Sequence, residues 1–196
     1  MTEIGAIVLA AGESRRMGQP KLTLPWGRTT VLGQVTATLT AAGVTDIAVI
    51  TGGWRAEVEA EVARLAASLP VRAVFNPHYA QGGMLSSIQC GLRAMRPGCE
   101  AALIALGDQP QVSQRSVQAV LGALAQPGVT VVVPSWQRRR GHPILIMRPA
   151  WDDLLHWQPP LTLRDFLNQQ TLTYVEADET IVMDLDTPES YQRQKP

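Results

Sequence analysis

The strongest constraint on the fold is a rhythm. Five short runs, Ile4–Ala10, Ile47–Ile50, Val71–Phe75, Ala101–Leu106 and Val129–Val133, are apolar at nearly all successive positions, interrupted only by Arg72 and Thr130, rather than at every second one. Strands that hide both faces need cover on both, which is the condition of a parallel sheet between two helical layers. Helical stripes fill the intervals. Val31, Leu32, Val35 and Leu39 share a face, and Gly43 follows where a C-terminal cap belongs. Val58, Val62, Leu65 and Leu69 form a second stripe, stopped by Pro70. Leu85, Ile88, Leu92 and Met95 form a third, ended by Pro97-Gly98. Val117, Val120, Leu121 and Leu124 form a fourth, opened by Ser113 and ended by Pro127-Gly128. Strand and helix in alternation predict an α/β fold of three layers around a doubly wound, mostly parallel sheet. After Pro134 the rhythm breaks. A basic stretch, Arg138-Arg139-Arg140-Gly141, leads to an apolar run at Ile144–Met147, two short helical pieces and Leu172–Glu176. These read as an extension of the same sheet, so residues 1–196 are expected to form one domain.

Composition removes several functions. Seventeen Lys+Arg balance 17 Asp+Glu, so the basic footprint of a nucleic-acid binder or of an anionic-membrane binder is missing. No apolar run approaches the roughly 18 residues of a membrane span. The start, Met1-Thr2-Glu3-Ile4, lacks the basic and apolar regions of an export signal, and Cys90 and Cys99 are the only cysteines. A cytoplasmic chain with reduced thiols is expected. His78, His142 and His156 show no zinc spacing with those cysteines, and no G-x-S-x-G elbow is present.

In an open α/β sheet, ligands bind beyond the carboxyl ends of the strands. Three segments fall there. Leu9-Ala10-Ala11-Gly12-Glu13-Ser14-Arg15-Arg16-Met17-Gly18-Gln19-Pro20-Lys21 follows the first strand. Gly12 and Gly18 allow positive φ, so backbone N–H groups can converge on an anion, and Arg15, Arg16 and Lys21 can neutralise phosphate oxygens. Lys21 is one of two lysines in the chain, the other being Lys195, which points to a site wanting a compact ammonium. The glycine spacing fits neither a Walker A loop nor a G-x-G-x-x-G turn. The second segment, Leu106-Gly107-Asp108-Gln109-Pro110, sets an acid just beyond a buried strand, a place that suits a phosphate-bridging metal. The third is Met183-Asp184-Leu185-Asp186-Thr187-Pro188, where Asp186 reads either as a second ligand or as the N-cap of the last helix.

Together these segments resemble the molybdenum-cofactor nucleotidyltransferases, a branch of the sugar-nucleotidyltransferase-like fold. Leu9 to Lys21 is similar to that family's L-A-A-G-x-S-x-R-M-G-x-x-K, Gly107-Asp108-Gln109-Pro110 to its G-D-Q-P, and Gly83-Met84-Leu85-Ser86-Ser87 to its G-M-x-S-S. Gly141-His142-Pro143 is similar to its G-H-P, and Asp184 to Glu189 to its D-x-D-T-P-E. The blocks keep the family's order from residue 9 to residue 189. The Leu-Ala-Ala-Gly opening resembles the cytidylyl branch, whereas guanylyl members tend to read Leu-Ala-Gly-Gly. One stretch, Pro159-Pro160-Leu161-Thr162-Leu163-Arg164, departs from that branch by lacking Gly-Asp before the Arg.

The resemblance implies a Rossmann-like nucleotide-diphospho-sugar transferase fold and a Mg²⁺-dependent transfer of CMP from CTP to molybdopterin, with pyrophosphate leaving. It implies catalytic roles for Lys21, Arg16 and Asp108. Nucleotide contacts would run along Leu9, Ala10, Ala11, Gly12, Ser14, Arg15, Arg16 and Lys21, with Ser86, Ser87 and Asp108. Asp108 and Asp186 would hold the Mg²⁺, with Asp184 behind them, and His142, Gln109 and Arg164 would face the acceptor. Ser86 and Ser87 also read as N-caps, and Arg138 to Arg140 as a solvated turn. The alternatives are a guanylyltransferase, transfer to another phosphorylated acceptor, and a non-catalytic molybdopterin-delivery protein. The product-handling partner implied is a molybdoenzyme to which the protein docks.

Overall fold

The computed structural model describes residues 3–196. In chain order the elements are β1 (Ile4–Ala10), β2 (Pro25–Trp26), β3 (Thr29–Thr30), α1 (Val31–Ala41), β4 (Asp46–Thr51), α2 (Arg55–Leu65), β5 (Val71–Phe75), α3 (Tyr79–Ala94) and β6 (Ala101–Leu106). There follow α4 (Gln114–Gly122), β7 (Val131–Trp136), β8 (Arg139–Arg140), β9 (Ile144–Met147), α5 (Trp151–His156), α6 (Leu163–Gln169), β10 (Leu172–Glu176) and α7 (Pro188–Gln194). The main sheet runs β10-β7-β9-β6-β1-β4-β5, with β8 folded back on β7 as a hairpin, and β2 and β3 form a separate ribbon. β1 pairs in parallel with β4 and β6, β4 with β5, and β7 with β10, while β9 runs antiparallel between β6 and β7. The segment after Pro134 therefore does extend the sheet, through one reversed strand.

The doubly apolar runs divide between two cores. Ala6, Val8 and Ala10 of β1, with Leu103 of β6, face one layer, where the stripes of α1, α2 and α4 meet them. Ile7 of β1 and Ile104 of β6 face the other, against Leu85, Ile88 and Leu92 of α3 and Trp151, Leu154 and Phe166 of α5 and α6. This is the three-layer arrangement that the rhythm requires. Two boundaries differ from the periodicity. The fifth run becomes a strand only at Val131, because Gly128, at φ +77, is still turning. The third helix starts at Tyr79, six residues before its apolar stripe, and is kinked at Gly83 (φ +56, ψ −154), a conformation that favours glycine. Its first turn faces an open cleft rather than the core, so no stripe announces it.

Gly91 lets α3 lie directly on β1: a Cβ there would sit 2.4 Å from Ile7 Cγ2. Replacing a helical glycine by alanine gains up to about 1 kcal/mol of helix propensity, but overpacking a close-packed core costs ~1–3 kcal/mol. Gly91→Ala is expected to lower stability by about 1–2 kcal/mol in urea unfolding, with an unchanged m-value.

Candidate active site

The chain leaves β1 toward β4 on one side and later returns to β6 on the other, so a crevice opens at the carboxyl ends of these central strands. Gly107 N donates to Leu9 O at 3.0 Å, and a Cβ at Gly107 would lie 2.8 Å from that oxygen. The close approach makes the loop after β1 and the Gly107-Asp108 turn leave the sheet side by side.

That loop is anchored at several points. Ser14 O accepts from Met17 N (2.9 Å) and Gly18 N (3.1 Å), and the Met17 side chain is buried. Gly18 has positive φ (+64), but the second such residue is Ser14 (φ +48) rather than Gly12, because Ser14 begins the turn. Gly53 N donates to Ala11 O at 3.0 Å, and the Trp54 indole Nε1 donates to Glu13 O at 2.7 Å. From Gly12 to Arg16, no backbone N–H donates a hydrogen bond among the described residues. A run of free N–H groups beside cationic side chains is a setting for an anion.

Lys21 stands at the loop's end. Its Nζ donates to Asp108 Oδ2 at 2.5 Å and to Asp186 Oδ1 at 3.2 Å. Arg16 Nη2 donates to the other oxygen of Asp186 at 2.8 Å. Leu185 N donates to Asp108 O at 3.3 Å, which fixes the tail segment against the end of β6. The last helix takes Thr187, not Asp186, as its N-cap, with Ser190 completing a capping box. The Asp186 carboxylate is thereby left for Lys21 and Arg16. Burial works against the Lys21 ammonium, yet the Asp108 and Asp186 carboxylates outweigh it and hold its pKa above the ordinary lysine value. Asp184 is raised above the usual carboxylate range, first by burial and then by the negative charge of Asp108 and Asp186; its bond from Gln109 and the charge of Lys21 oppose the rise.

Two carboxylate oxygens bonded to one nitrogen lie at most about 6 Å apart, so a small side-chain movement would bring them to the ~4.2 Å or less that two ligands of one Mg²⁺ at ~2.1 Å span. No group of three or more His, Cys, Asp or Glu side chains suited to hold a metal occurs among the described residues. The donor set therefore fits a hard cation that completes its shell with phosphate and water, as Mg²⁺ does, and not an all-protein cage.

A cleft of about 420 Å³ opens beside this cluster. Leu9, Ala10, Ala11, Gly12, Ser14, Lys21, Ser87, Asp108, Asp184 and Asp186 all line it. Arg15 and Arg16 border an adjoining recess of about 320 Å³ that shares Ser14, Lys21 and Asp186 with it. Ser86 stands aside: its hydroxyl bonds back to Gly83 O (3.0 Å) and accepts from Asn76 Nδ2 (2.9 Å). Neither serine is an N-cap, since α3 has already begun at Tyr79. His142 and Arg164 lie along a second cleft, of about 590 Å³, with Arg140. The two large clefts meet at Gly83 and Met84. Arg140 belongs to β8 rather than to a free turn, and its guanidinium donates to Tyr174 Oη (3.0 Å) and Asn168 Oδ1 (2.9 Å). In place of Gly-Asp before Arg164, Thr162 and Asp165 form the capping box that opens α6. Gln109 lines neither large cleft. It is buried, and its Nε2 donates to Asp184 Oδ1 at 2.8 Å.

Sequence reasoning quoted Met84 only as part of a motif and passed over Tyr79, both of which line the first cleft, and also passed over Trp54, which ties down its loop. Tyr79 and Trp54 both stand just beyond strand carboxyl ends, which was the signal available; periodicity gave none.

His142 Nε2 is buried without a partner among the described residues, and burial pushes the imidazole down to about 4, against the pull of the Asp108 carboxylate. An unfolded histidine takes its proton near 6.5. Between those values the unfolded chain binds the proton and the folded chain does not, so stability falls as pH falls, by at most about 3 kcal/mol. Above pH 6.5 the contribution is complete. The stability deficit of His142→Asn at pH 7.5 is expected to shrink toward pH 5; a constant deficit in urea titrations would contradict a histidine buried neutral.

Comparison with known proteins gives a coherent set. The MobA-like NTP transferase domain matches residues 6–174. The chain is 29% identical over 192 residues to the molybdenum cofactor cytidylyltransferase of Escherichia coli, covering 97% of this chain and 95% of that one. It superposes on a nucleotidyl transferase from Methanothermobacter with a TM-score of 0.80 at 28% identity, covering 100% and 97% of the two chains. It also superposes on Rv0371c of Mycobacterium tuberculosis, solved as a complex with manganese, with a TM-score of 0.78 at 25% identity, covering 98% and 97%. No helix among the described residues is long and apolar enough to cross a membrane.

Proposed function

Because the chain belongs to the MobA-like NTP transferase family and is a nucleotidyltransferase, we propose that it transfers CMP from CTP to molybdopterin and releases pyrophosphate. The observation that carries the reading is the cluster in which Lys21 Nζ joins Asp108 to Asp186 beside the 420 Å³ cleft. A terminal phosphate oxygen of the acceptor attacks the α-phosphorus of CTP. The bond from that phosphorus to the bridging oxygen breaks, and pyrophosphate leaves with its electron pair. Little covalent help is needed, so the burden falls on alignment and charge.

The residues divide that burden. The Leu9–Gly12 backbone and Ser87 flank the nucleoside end of the first cleft. The free N–H groups from Gly12 to Arg16, with Arg15, Arg16 and Lys21, receive the triphosphate. Lys21 and Arg16 oppose the charge that builds on the departing pyrophosphate. Asp108 and Asp186 would hold Mg²⁺, which neutralises phosphate charge when bound. The second cleft, with Arg140, Arg164 and the His142 wall, suits a phosphorylated acceptor, and its contact with the first at Gly83 and Met84 brings the two substrates end to end. Since His142 stays neutral at pH 7, the arginines carry the acceptor's charge. On this reading residues 1–196 work as one cytoplasmic domain that hands its product to a molybdoenzyme.

The test is pyrophosphate release with each of the four NTPs, Mg²⁺ and molybdopterin, paired with thermal melts. CTP at 100 times its Kd is expected to stabilise the protein by ~2.7 kcal/mol, and ATP at the same concentration by less. Equal shifts with all four nucleotides would remove the base preference and leave the phosphate site. Release with GTP alone would make the protein a guanylyltransferase, and binding without release would make it a delivery protein.

A further inference from the structure

Beneath the cluster, on the core side of β6, lies a small cavity with about 20 Å³ open to a water-sized sphere. Gln109 and His142 both line it. Each carries a buried polar atom that has no hydrogen-bond partner among the described residues: Gln109 Oε1 and His142 Nε2. Buried polar groups in folded proteins are almost always satisfied, and two unsatisfied ones on residues that share one cavity need an explanation. We infer that this cavity is a binding site for a single structural water, which bridges Gln109 Oε1 and His142 Nε2.

The size and the chemistry agree. A cavity holds one water once about 10–15 Å³ is open to its centre, provided that two to four polar groups are within reach. Thr38, whose hydroxyl accepts from Gln34 Nε2, is a third polar side chain in the wall, and the rest is mostly apolar: Val35, Leu39, Ala105, Val117. Apolar walls without the two orphan atoms would leave such a space dry. The water gives one proton to the amide oxygen, which can only accept. It meets the imidazole nitrogen as donor or acceptor according to the ring's tautomer.

The consequence reaches the active site through the amide. Gln109 Nε2 donates to Asp184 Oδ1 at 2.8 Å, with Ile181 O a second acceptor at 3.5 Å. Turned the other way, the amide would set its oxygen against the Asp184 carboxylate. A water holding Oε1 in the cavity fixes the orientation in which the nitrogen faces Asp184. Gln109 is thus a positioning residue, acting on Asp184 and through it on the wall of the nucleotide cleft. This last step rests on the nucleotidyl-transfer reading; the water itself does not.

The test is a crystal structure of the wild-type protein at a resolution that shows ordered waters, with Gln109→Met beside it. The expected result is a density peak within about 2.6–3.2 Å of both Gln109 Oε1 and His142 Nε2. An empty cavity, or direct contact between the two side chains, would overturn the inference. In Gln109→Met the peak is expected to vanish and the Asp184 carboxylate to leave its present rotamer. With the fold intact by thermal melting, kcat is expected to fall about tenfold while the nucleotide KM stays within about twofold. An occupied wild-type cavity with Asp184 unmoved in the variant would refute the positioning role. A wild-type protein that released no pyrophosphate would refute nucleotidyl transfer and leave the density to decide the water.

Discussion

Asp108→Asn and Asp186→Asn are each expected to cut pyrophosphate release by about 10³-fold, roughly 4 kcal/mol of transition-state stabilisation. Asp108 extends from the end of β6 and Asp186 from the tail, 78 residues later, and both bond Lys21 Nζ. Nothing in the local structure asks for either acid. Thr187 and Ser190 cap the last helix without Asp186, and Asp108 contributes its backbone oxygen, not its carboxylate, to hold Leu185. An amide in either place keeps the shape and removes both a negative charge and a hard anionic donor for Mg²⁺. Neither variant should lose more than about 1 kcal/mol of stability, because the sites are partly exposed and an amide oxygen still accepts from Lys21. Near-normal turnover in Asp186→Asn, measured as pyrophosphate release at saturating Mg²⁺, would return that residue to a surface ion pair with Arg16.

Lys21→Ala is the second large effect, and it acts on rate and stability together. Turnover is expected to fall by about 10²–10³-fold through loss of a cation aimed at the leaving group. The side chain is only 15% exposed and sits between two carboxylates. Its removal leaves Asp108 and Asp186 facing each other with Asp184 close by, and like charges at that range are unfavourable. A stability loss of about 1–2 kcal/mol is expected at pH 7, larger than for an ordinary surface lysine. Mg²⁺ should then raise the melting temperature of Lys21→Ala more than that of the wild type, since the cation replaces the lost positive charge. Lys21→Arg should restore stability without restoring turnover, because a planar fork does not reproduce a compact ammonium. A melting temperature indifferent to Mg²⁺ in Lys21→Ala would argue against a cation at this pair.

Much of this was legible in the residues because it depends on local chemistry. The strands β1, β6 and β9, buried along almost their whole length, begin and end where the apolar runs do, and so do the edge strands β5 and β10, though these are only partly buried. Lys21 stood out by composition, and Asp108 by its place at a strand end. What stayed hidden depends on partners far away in sequence. The first turn of α3 packs on no core, so its pattern is blank. Asp186 could not be told from a cap until the Thr187 and Ser190 hydroxyls were seen to cap the helix. Gln109 looks like a neighbour of Asp108 aimed outward, but it turns inward to Asp184, 75 residues away. A side chain's direction at a strand-ending turn is set by which neighbour needs a donor, and sequence spacing does not carry that information.

The reversed strand β9 has a further consequence. In a wholly parallel sheet only the ends of strands arrive at the ligand-binding edge, each followed by a crossover back to the far side. Because β9 runs the opposite way, it begins at that edge, so β7, the β8 hairpin, His142 and Pro143 gather there without a crossover. One wall of the second cleft is thus drawn from two segments, residues 140–144 and 159–167, whereas the first is cut from residues 9–22, 79–87, 106–108 and 184–186. Only the segment around Gly83 and Met84 serves both. The two clefts are therefore unequally coupled: changes at Arg140 or residues 159–167 would alter what is offered to the second cleft while the lysine, the acids and the phosphate loop stayed in place, whereas a change at His142, which shares a cavity with Gln109, would be felt at Asp184.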